Sequence, residues 1–183
     1  MTLIVCRHGE SLWNKEDRLT GWTDIELSKK GIVQSIRLGE LLKPYRFDYI
    51  ISSDLQRATQ TIGYALKTSA YMCTSVLRER DFGDLTGLTK NEIKQKYGEI
   101  NYSYTDRPPN GESLADVEKR ISTYFDQIIL PLLQDYKNIL LVAHGDLIRA
   151  LMVRLKIHTK ESIHLVTIDN AVPLELFVHK SIQ

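Results

Sequence analysis

The chain has 183 residues, 43% hydrophobic and 26% charged, which suits one well-packed globular domain and excludes a disordered, collagenous or coiled-coil chain. Lys and Arg number 24 against 23 Asp and Glu, a formal net charge of +1, so a broad basic face for nucleic acid is excluded and any anion site must be local. Two cysteines, Cys6 and Cys73, point to a reduced cytoplasmic protein, and no apolar run approaches the roughly 20 residues of a membrane span.

The opening Met1-Thr2-Leu3-Ile4-Val5-Cys6 lacks a basic stretch and runs into Arg7-His8, so it is no signal peptide. Leu3 to Cys6 reads instead as a short, fully apolar strand of the kind buried in parallel sheets. Apolar Ile32, Ile36, Leu38, Leu41 and Leu42 have helical spacing after Ser28, a natural N-cap, and Pro44 stops that helix. Phe47 to Ile51 reads as a second strand, followed by a helix from Asp54-Leu55-Gln56-Arg57 to about Thr68. Thr74 to Leu77 reads as a third strand and Ile93 to Tyr97 as a short helix. Arg107-Pro108-Pro109-Asn110-Gly111 is an irregular loop. Ser113 with Asp116 resembles a capping box opening a long helix to about Tyr136. Ile139 to Ala143 is a fourth strand, Leu147 to Leu155 a helix, and Val172 to Val178 a final strand. This alternation predicts a single α/β domain over 1–183, a three-layer sandwich around a mostly parallel sheet, with a small cap region at about 79–113.

Three of the strands run into polar junctions at their C-terminal ends: Arg7-His8-Gly9, Ser52-Ser53-Asp54 with Arg57 in the next helix, and His144-Gly145. Ligands of open α/β sheets bind at that end. Parallel neighbours would gather Arg7, His8, Arg57 and His144 around one point, where helix N-termini add unpaired N–H groups. The result is a compact pocket for a phosphoryl group, which arginine binds bidentately. One imidazole can attack phosphorus, provided its nitrogen is unprotonated, as nearby guanidinium groups favour. The other histidine and the arginines can hold the transferring charge. Neither a phosphate-binding Gly-Lys-Ser/Thr loop nor a metal-ligand pattern is present, so no metal is assigned. The leaving oxygen needs a proton donor. Glu79 is the candidate, its alternative being a simple ion pair with Arg78 or Arg80. Trp13 and Trp22 read as packing residues.

The residues so assembled resemble the histidine phosphatase superfamily, and within it the cofactor-dependent phosphoglycerate mutases. The resemblance covers nearly the whole chain. It is carried by Arg7-His8-Gly9-Glu10-Ser11 with Asn14 and Thr20-Gly21-Trp22, by Ser53 to Ala58, by Glu79 to Leu88, by Pro108 to Leu114 and by Ala143-His144-Gly145. It implies that His8 carries the phosphoryl group, that Arg7, Arg57 and His144 bind it, and that Glu79 gives and takes the proton. It further implies substrate contacts at Asn14, Thr20, Gly21, Lys96, Gly145 and Asp146, a phosphoglycerate mutase-like sandwich, and no metal. The implied reaction interconverts 2-phosphoglycerate and 3-phosphoglycerate, with 2,3-bisphosphoglycerate priming the histidine. The implied partner is a small phosphorylated substrate, with no nucleic acid and no membrane; a homo-oligomer is compatible with the sequence.

The sequence departs from the mutase pattern at three places. Only Ile100-Asn101-Tyr102 separates Gly98-Glu99 from Ser103-Tyr104, and a pair of arginines expected there to hold the substrate carboxylate is missing. Arg107 is the candidate replacement. Phe82 stands where a tyrosine is expected, and Asp146 where an asparagine is expected. Asn170-Ala171-Val172-Pro173, near a mutase-like Thr-Gly-Val-Pro, and the full Glu79-to-Leu88 block favour the mutase. Each lost hydrogen bond to a charged group costs about 1.5–3 kcal/mol. Two further readings therefore stand beside the mutase: a phosphomonoesterase on the same core, with water as acceptor, and a non-catalytic phosphate-binding module.

Overall fold

The computed structural model describes residues 2–99, 103–135 and 137–176. Its centre is a five-stranded sheet in the order β3-β2-β4-β1-β5. The strands are β1 (Thr2–Arg7), β2 (Tyr49–Ser53), β3 (Met72–Thr74), β4 (Asn138–Ala143) and β5 (Pro173–Leu176). β1, β2, β3 and β4 run parallel, and β5 joins β1 antiparallel. The expected sandwich with a mostly parallel sheet is thus the observed one.

Side chains alternate across β1 and β4 and supply two cores. Leu3, Val5, Ile139, Leu141 and Ala143 face one layer, built from α5 (Leu114–Tyr124), α6 (Leu130–Gln134) and α7 (Gly145–Arg154). Ile4, Cys6, Leu140 and Val142 face the other, built from α2 (Lys29–Leu42) and α3 (Gln56–Leu66). Burial on both faces explains why these strands read as continuous apolar runs. A third, smaller core of Phe82, Leu85 and Ile93 lies under the segment joining β3 to α5, with Leu19 and Leu88 against it. This segment holds α4 (Lys90–Tyr97), which begins in a capping box between Thr89 and Glu92.

The Ser28 cap is as expected, its hydroxyl accepting from Gly31 N at 3.0 Å. The Ser113–Asp116 capping box is also present. The third strand differs: β3 ends at Thr74, whose hydroxyl accepts from Val76 N and turns Ser75–Leu77 into a 3-10 helix. The helix from Ser113 differs as well. It passes through a π-helical turn, Phe125–Ile129, into α6, which carries Pro131 in its first turn. Proline has no N–H for the α-helical ladder, and an inserted π turn absorbs that interruption. Tyr136, the expected end of that helix, lies outside the described residues, as do Phe177 and Val178 of the expected last strand. Among the described residues no helix is long and apolar enough to cross a membrane.

Candidate active site

The site follows from sheet register. Arg7 pairs with Ala143, and His8 N donates to Ala143 O at 3.0 Å. The next residue on each strand is a histidine, so the two imidazoles meet at the C-terminal edge with ring centroids 5.0 Å apart. β2 lies on the far side of β4, and its Ser52 pairs with Val142. Helix α3 leaves that strand end and carries Arg57 back across the gap. Arg57 is fully buried. Its Nε lies 3.2 Å from His8 Nε2 and 3.2 Å from His144 Nδ1, a shared bond to both rings. Its Nη1 donates to Thr23 O at 2.9 Å and its Nη2 to Gly21 O at 2.8 Å, which ties the Thr20–Thr23 loop to the site.

These partners fix the histidine tautomers. Gly9 O can only accept, so His8 Nδ1, 2.6 Å away, carries the proton. His8 Nε2, accepting from Arg57, therefore keeps its lone pair. On His144 the relation is reversed: Nδ1 accepts from Arg57, so Nε2 carries the proton. One ring offers a nucleophilic lone pair and the other an N–H donor. Both rings are held well below the usual histidine pKa, first by burial and then by the Arg57 guanidinium, so both stay neutral at ordinary pH. Burial likewise lowers Arg57 from 12.5 to about 10, which still leaves it charged at neutral pH.

Arg7 Nη1 donates to Ile168 O at 2.9 Å. Its Nε, Thr20 Oγ1 and His144 Nε2 are buried and have no hydrogen-bond partner among the described residues. Buried polar groups of this kind normally find partners. Arg7 adjoins His8 in the chain, His144 meets its ring, and Thr20 precedes the Gly21 that Arg57 holds, so three partnerless groups on residues beside His8 can serve the oxygens of a phosphoryl group. Gly145 opens α7 beside them; a Cβ there would lie 3.7 Å from Arg7 Nε.

Glu79 is half-buried and joins the same cluster. Its Oε1 accepts from Arg80 N at 2.9 Å and from Asp146 N at 3.1 Å. Burial and then the Asp146 carboxylate raise its pKa, while the Arg80 N–H, Arg7 and Arg57 oppose the rise. A carboxyl raised in this way is suited to deliver a proton. The expected alternative, an ion pair with Arg78 or Arg80, is not what these arginines form, because each has another carboxylate. Arg78 grips Asp54 bidentately at 2.8 and 2.6 Å, and Arg80 Nε lies 2.9 Å from Asp146 Oδ2.

Several residues that hold Glu79 and His8 in place escaped the sequence reading. Trp22, read as a packing residue, is 41% exposed, and its Nε1 donates to Glu79 O at 2.8 Å. Arg120 donates to the carbonyls of Val76, Arg78 and Glu79 at 2.6, 3.0 and 3.2 Å and pairs with Glu112 at 2.8 Å. Thr61 Oγ1 accepts from Gly9 N at 2.9 Å, and Asn170 Nδ2 donates to His8 O at 2.7 Å. All four act on backbone groups distant in the chain, and no local pattern announces them.

Arg7, His8, Thr20, Gly21, Arg57, Glu79, His144, Gly145 and Asp146 are therefore brought together. Among the described residues no hydrogen bond or ion pair joins three other candidates to them. Asn14 serves the capping box of α1 (Leu12–Lys15), its Oδ1 accepting from Ser11 N at 3.1 Å. Lys96 is exposed on α4, above the Tyr97 ring. Arg107 is exposed and paired with Asp116 at 2.5 Å, at the start of α5. Among the described residues no group of three or more His, Cys, Asp or Glu side chains is arranged to hold a metal ion.

The sequence model of the histidine phosphatase superfamily (branch 1) matches residues 3–176. A 2,3-bisphosphoglycerate-dependent phosphoglycerate mutase of Cytophaga hutchinsonii is 39% identical over 180 residues, covering 93% of this chain and 84% of the relative. A similarly named mutase of Gloeobacter violaceus is also 39% identical, over 98% of this chain and 86% of its own. Among solved structures, mycobacterial glucosyl-3-phosphoglycerate phosphatase with VO3 superposes with a TM-score of 0.87 at 30% identity, covering 96% of this chain and 92% of the other. A mutant phosphoserine phosphatase of Entamoeba histolytica, in complex with phosphoserine, has a TM-score of 0.81 at 28% identity, covering 98% and 91%.

Proposed function

The chain belongs to the histidine phosphatase superfamily, and on that premise we propose that it is a 2,3-bisphosphoglycerate-dependent phosphoglycerate mutase acting through His8. The observation that carries phosphoryl transfer is the pair of opposed tautomers around Arg57, a lone pair on His8 Nε2 beside an N–H on His144. The narrower mutase reading is supported by relatives of that name over most of the chain. It is also supported by the order of the Glu79–Leu88 block, which is tied to the Pro108–Leu114 loop by Asp84 N to Pro109 O and Glu112 N to Asp81 O.

In this reading His8 Nε2 attacks the phosphorus in line with the leaving oxygen. A nitrogen–phosphorus bond forms, the phosphorus–oxygen bond breaks, and Glu79 gives its proton to the departing oxygen. Arg7, Arg57, His144 Nε2–H and Thr20 bear the charge on the three equatorial oxygens. In the second half the ionised Glu79 takes a proton from the acceptor hydroxyl, which attacks phosphorus and frees His8. The same partnerless donors, Arg7 Nε, Thr20 Oγ1 and His144 Nε2, fit one phosphoryl end of the bisphosphate. When bound, the bisphosphate supplies the phosphoryl group that primes His8.

A phosphomonoesterase is the second reading. Among the described residues no hydrogen bond or ion pair joins Lys96, expected to bind substrate, or Arg107, expected to hold its carboxylate, to the His8 cluster, and water then becomes the simplest acceptor. The solved structures named above are phosphatases. Purified protein given 3-phosphoglycerate, with and without 2,3-bisphosphoglycerate, separates the two. Formation of 2-phosphoglycerate that depends on the bisphosphate supports the mutase. Inorganic phosphate as the sole product supports the phosphatase and overturns the mutase.

A further inference from the structure

Asp146 introduces a carboxylate at the mouth of an anion site, where it would be expected to repel the substrate. The structure gives it a different environment. Its Oδ2 lies 2.9 Å from Arg80 Nε and its Oδ1 2.8 Å from Arg149 Nη1, so its charge is clamped between two guanidinium groups. Arg149 is itself anchored, its Nε and Nη2 both donating to Val166 O at 3.0 and 2.8 Å. The backbone N–H of Asp146 points the other way, to Glu79 Oε1 at 3.1 Å.

We infer that Asp146 is a positioning residue for the proton-transfer carboxylate: clamped by Arg80 and Arg149, it holds Glu79 Oε1 through its backbone N–H and sets the upper pH limit of catalysis through its charge. The inference rests on the phosphoryl-transfer reading above and extends it. Charged groups reach Glu79 from every packed element. Arg7 comes from β1, Arg57 from α3, and Arg120 of α5 donates to the Glu79 carbonyl. Arg78, its chain neighbour, is occupied by Asp54, and Glu112 by Arg120. Arg7 and Arg57 favour the carboxylate form, and burial and Asp146 favour the protonated form. Removing Asp146 thus takes away the negative charge that helps Glu79 keep its proton. It also releases two cations that work in the opposite sense.

The test is the pH profile of kcat/KM for the phosphoryl donor, 2,3-bisphosphoglycerate, in phosphorylating the protein, whose alkaline limb reports the essential acid of the free enzyme. Asp146→Asn keeps the backbone N–H and nearly the same shape. We expect its alkaline limb to move to lower pH. Asp146→Glu keeps the charge and should return the limb toward the native position. Arg149→Gln leaves the carboxylate in place but less compensated, and should move the limb to higher pH. A merely structural role would lower kcat/KM equally at all pH values or lower the melting temperature with the limb unmoved. An unmoved limb in folded Asp146→Asn, or one moved to higher pH, overturns the inference. Substituting His8 by Ala keeps the two ideas apart. Turnover that survives His8→Ala refutes the phosphoryl-transfer reading, whereas loss of turnover there with an unmoved Asp146→Asn limb refutes only the role of Asp146.

Discussion

Replacing Arg57 by Lys tests whether one guanidinium organises the whole site. The ammonium keeps the charge but cannot reach four acceptors in a plane. The substitution removes the bonds to Gly21 O and Thr23 O, at 2.8 and 2.9 Å, and the shared bond to the two imidazoles. Charge-assisted hydrogen bonds are worth about 1.5–3 kcal/mol each. Part of the loss is offset because a buried guanidinium is itself costly to desolvate, so a net loss of about 2–4 kcal/mol remains. For a chain of 183 residues that lowers the melting temperature by about 4–16 °C. Catalysis suffers more, because Arg57 both holds the His8 tautomer and faces the transferring charge. Loss of one such donor costs about 10²–10³ in kcat. Steady-state kinetics beside a thermal melt reads both effects. A lysine variant that keeps kcat within about threefold of native while melting lower would show that Arg57 only packs the core, and would refute the reasoning.

Glu79→Gln should lower turnover of an alkyl phosphate by about 10²–10⁴ yet leave an aryl phosphate with a good leaving group far less affected, as a panel of leaving groups will read. The two neutral histidines should make stability fall below pH 6.5, because the unfolded chain binds protons there that the folded one refuses. His8→Gln should flatten that fall by up to about 1.4 kcal/mol per pH unit in denaturant melts, and an unchanged slope would place a charged His8 in the fold. Gly83→Ala should displace the Glu79 loop, since Gly83 has φ +52° and a Cβ there would lie 2.0 Å from Pro109 O; denaturant melts should show a loss of at least about 2 kcal/mol. Arg120→Ala leaves the carbonyls of Val76 and Arg78 without their donor and Glu79 O with Trp22 alone, and steady-state kinetics should show a lower kcat with little effect on KM.

The parts legible in the sequence are those written locally. The apolar runs of β1 and β4 and the Ser28 cap are short-range patterns, and each runs true in the fold. The meeting of His8 and His144 was legible for a different reason. Parallel strands in register bring equivalent ends together, so two strand-His-Gly sequences converge if their strands are neighbours, as β1 and β4 are. Arg57 followed from the same logic, one strand further out. What the sequence did not display is the support around Glu79. Trp22, Arg120 and the N–H of Asp146 reach it from a loop and two helices, and each contact depends on how those elements pack. β3 ends earlier than its apolar pattern suggests because Thr74 diverts the chain with its own hydroxyl. Arg107 suits the site by its place in the chain, yet Asp116 at the start of α5 claims its guanidinium.

The most direct measurement is to incubate the native protein with labelled 2,3-bisphosphoglycerate, quench it rapidly and map the retained label. We expect a phosphate that survives alkali, is lost in acid, and resides on His8, with none retained by His8→Ala. Label on a serine or another histidine, or turnover with no phosphorylated protein at any time, would contradict the claim that His8 Nε2 is the nucleophile.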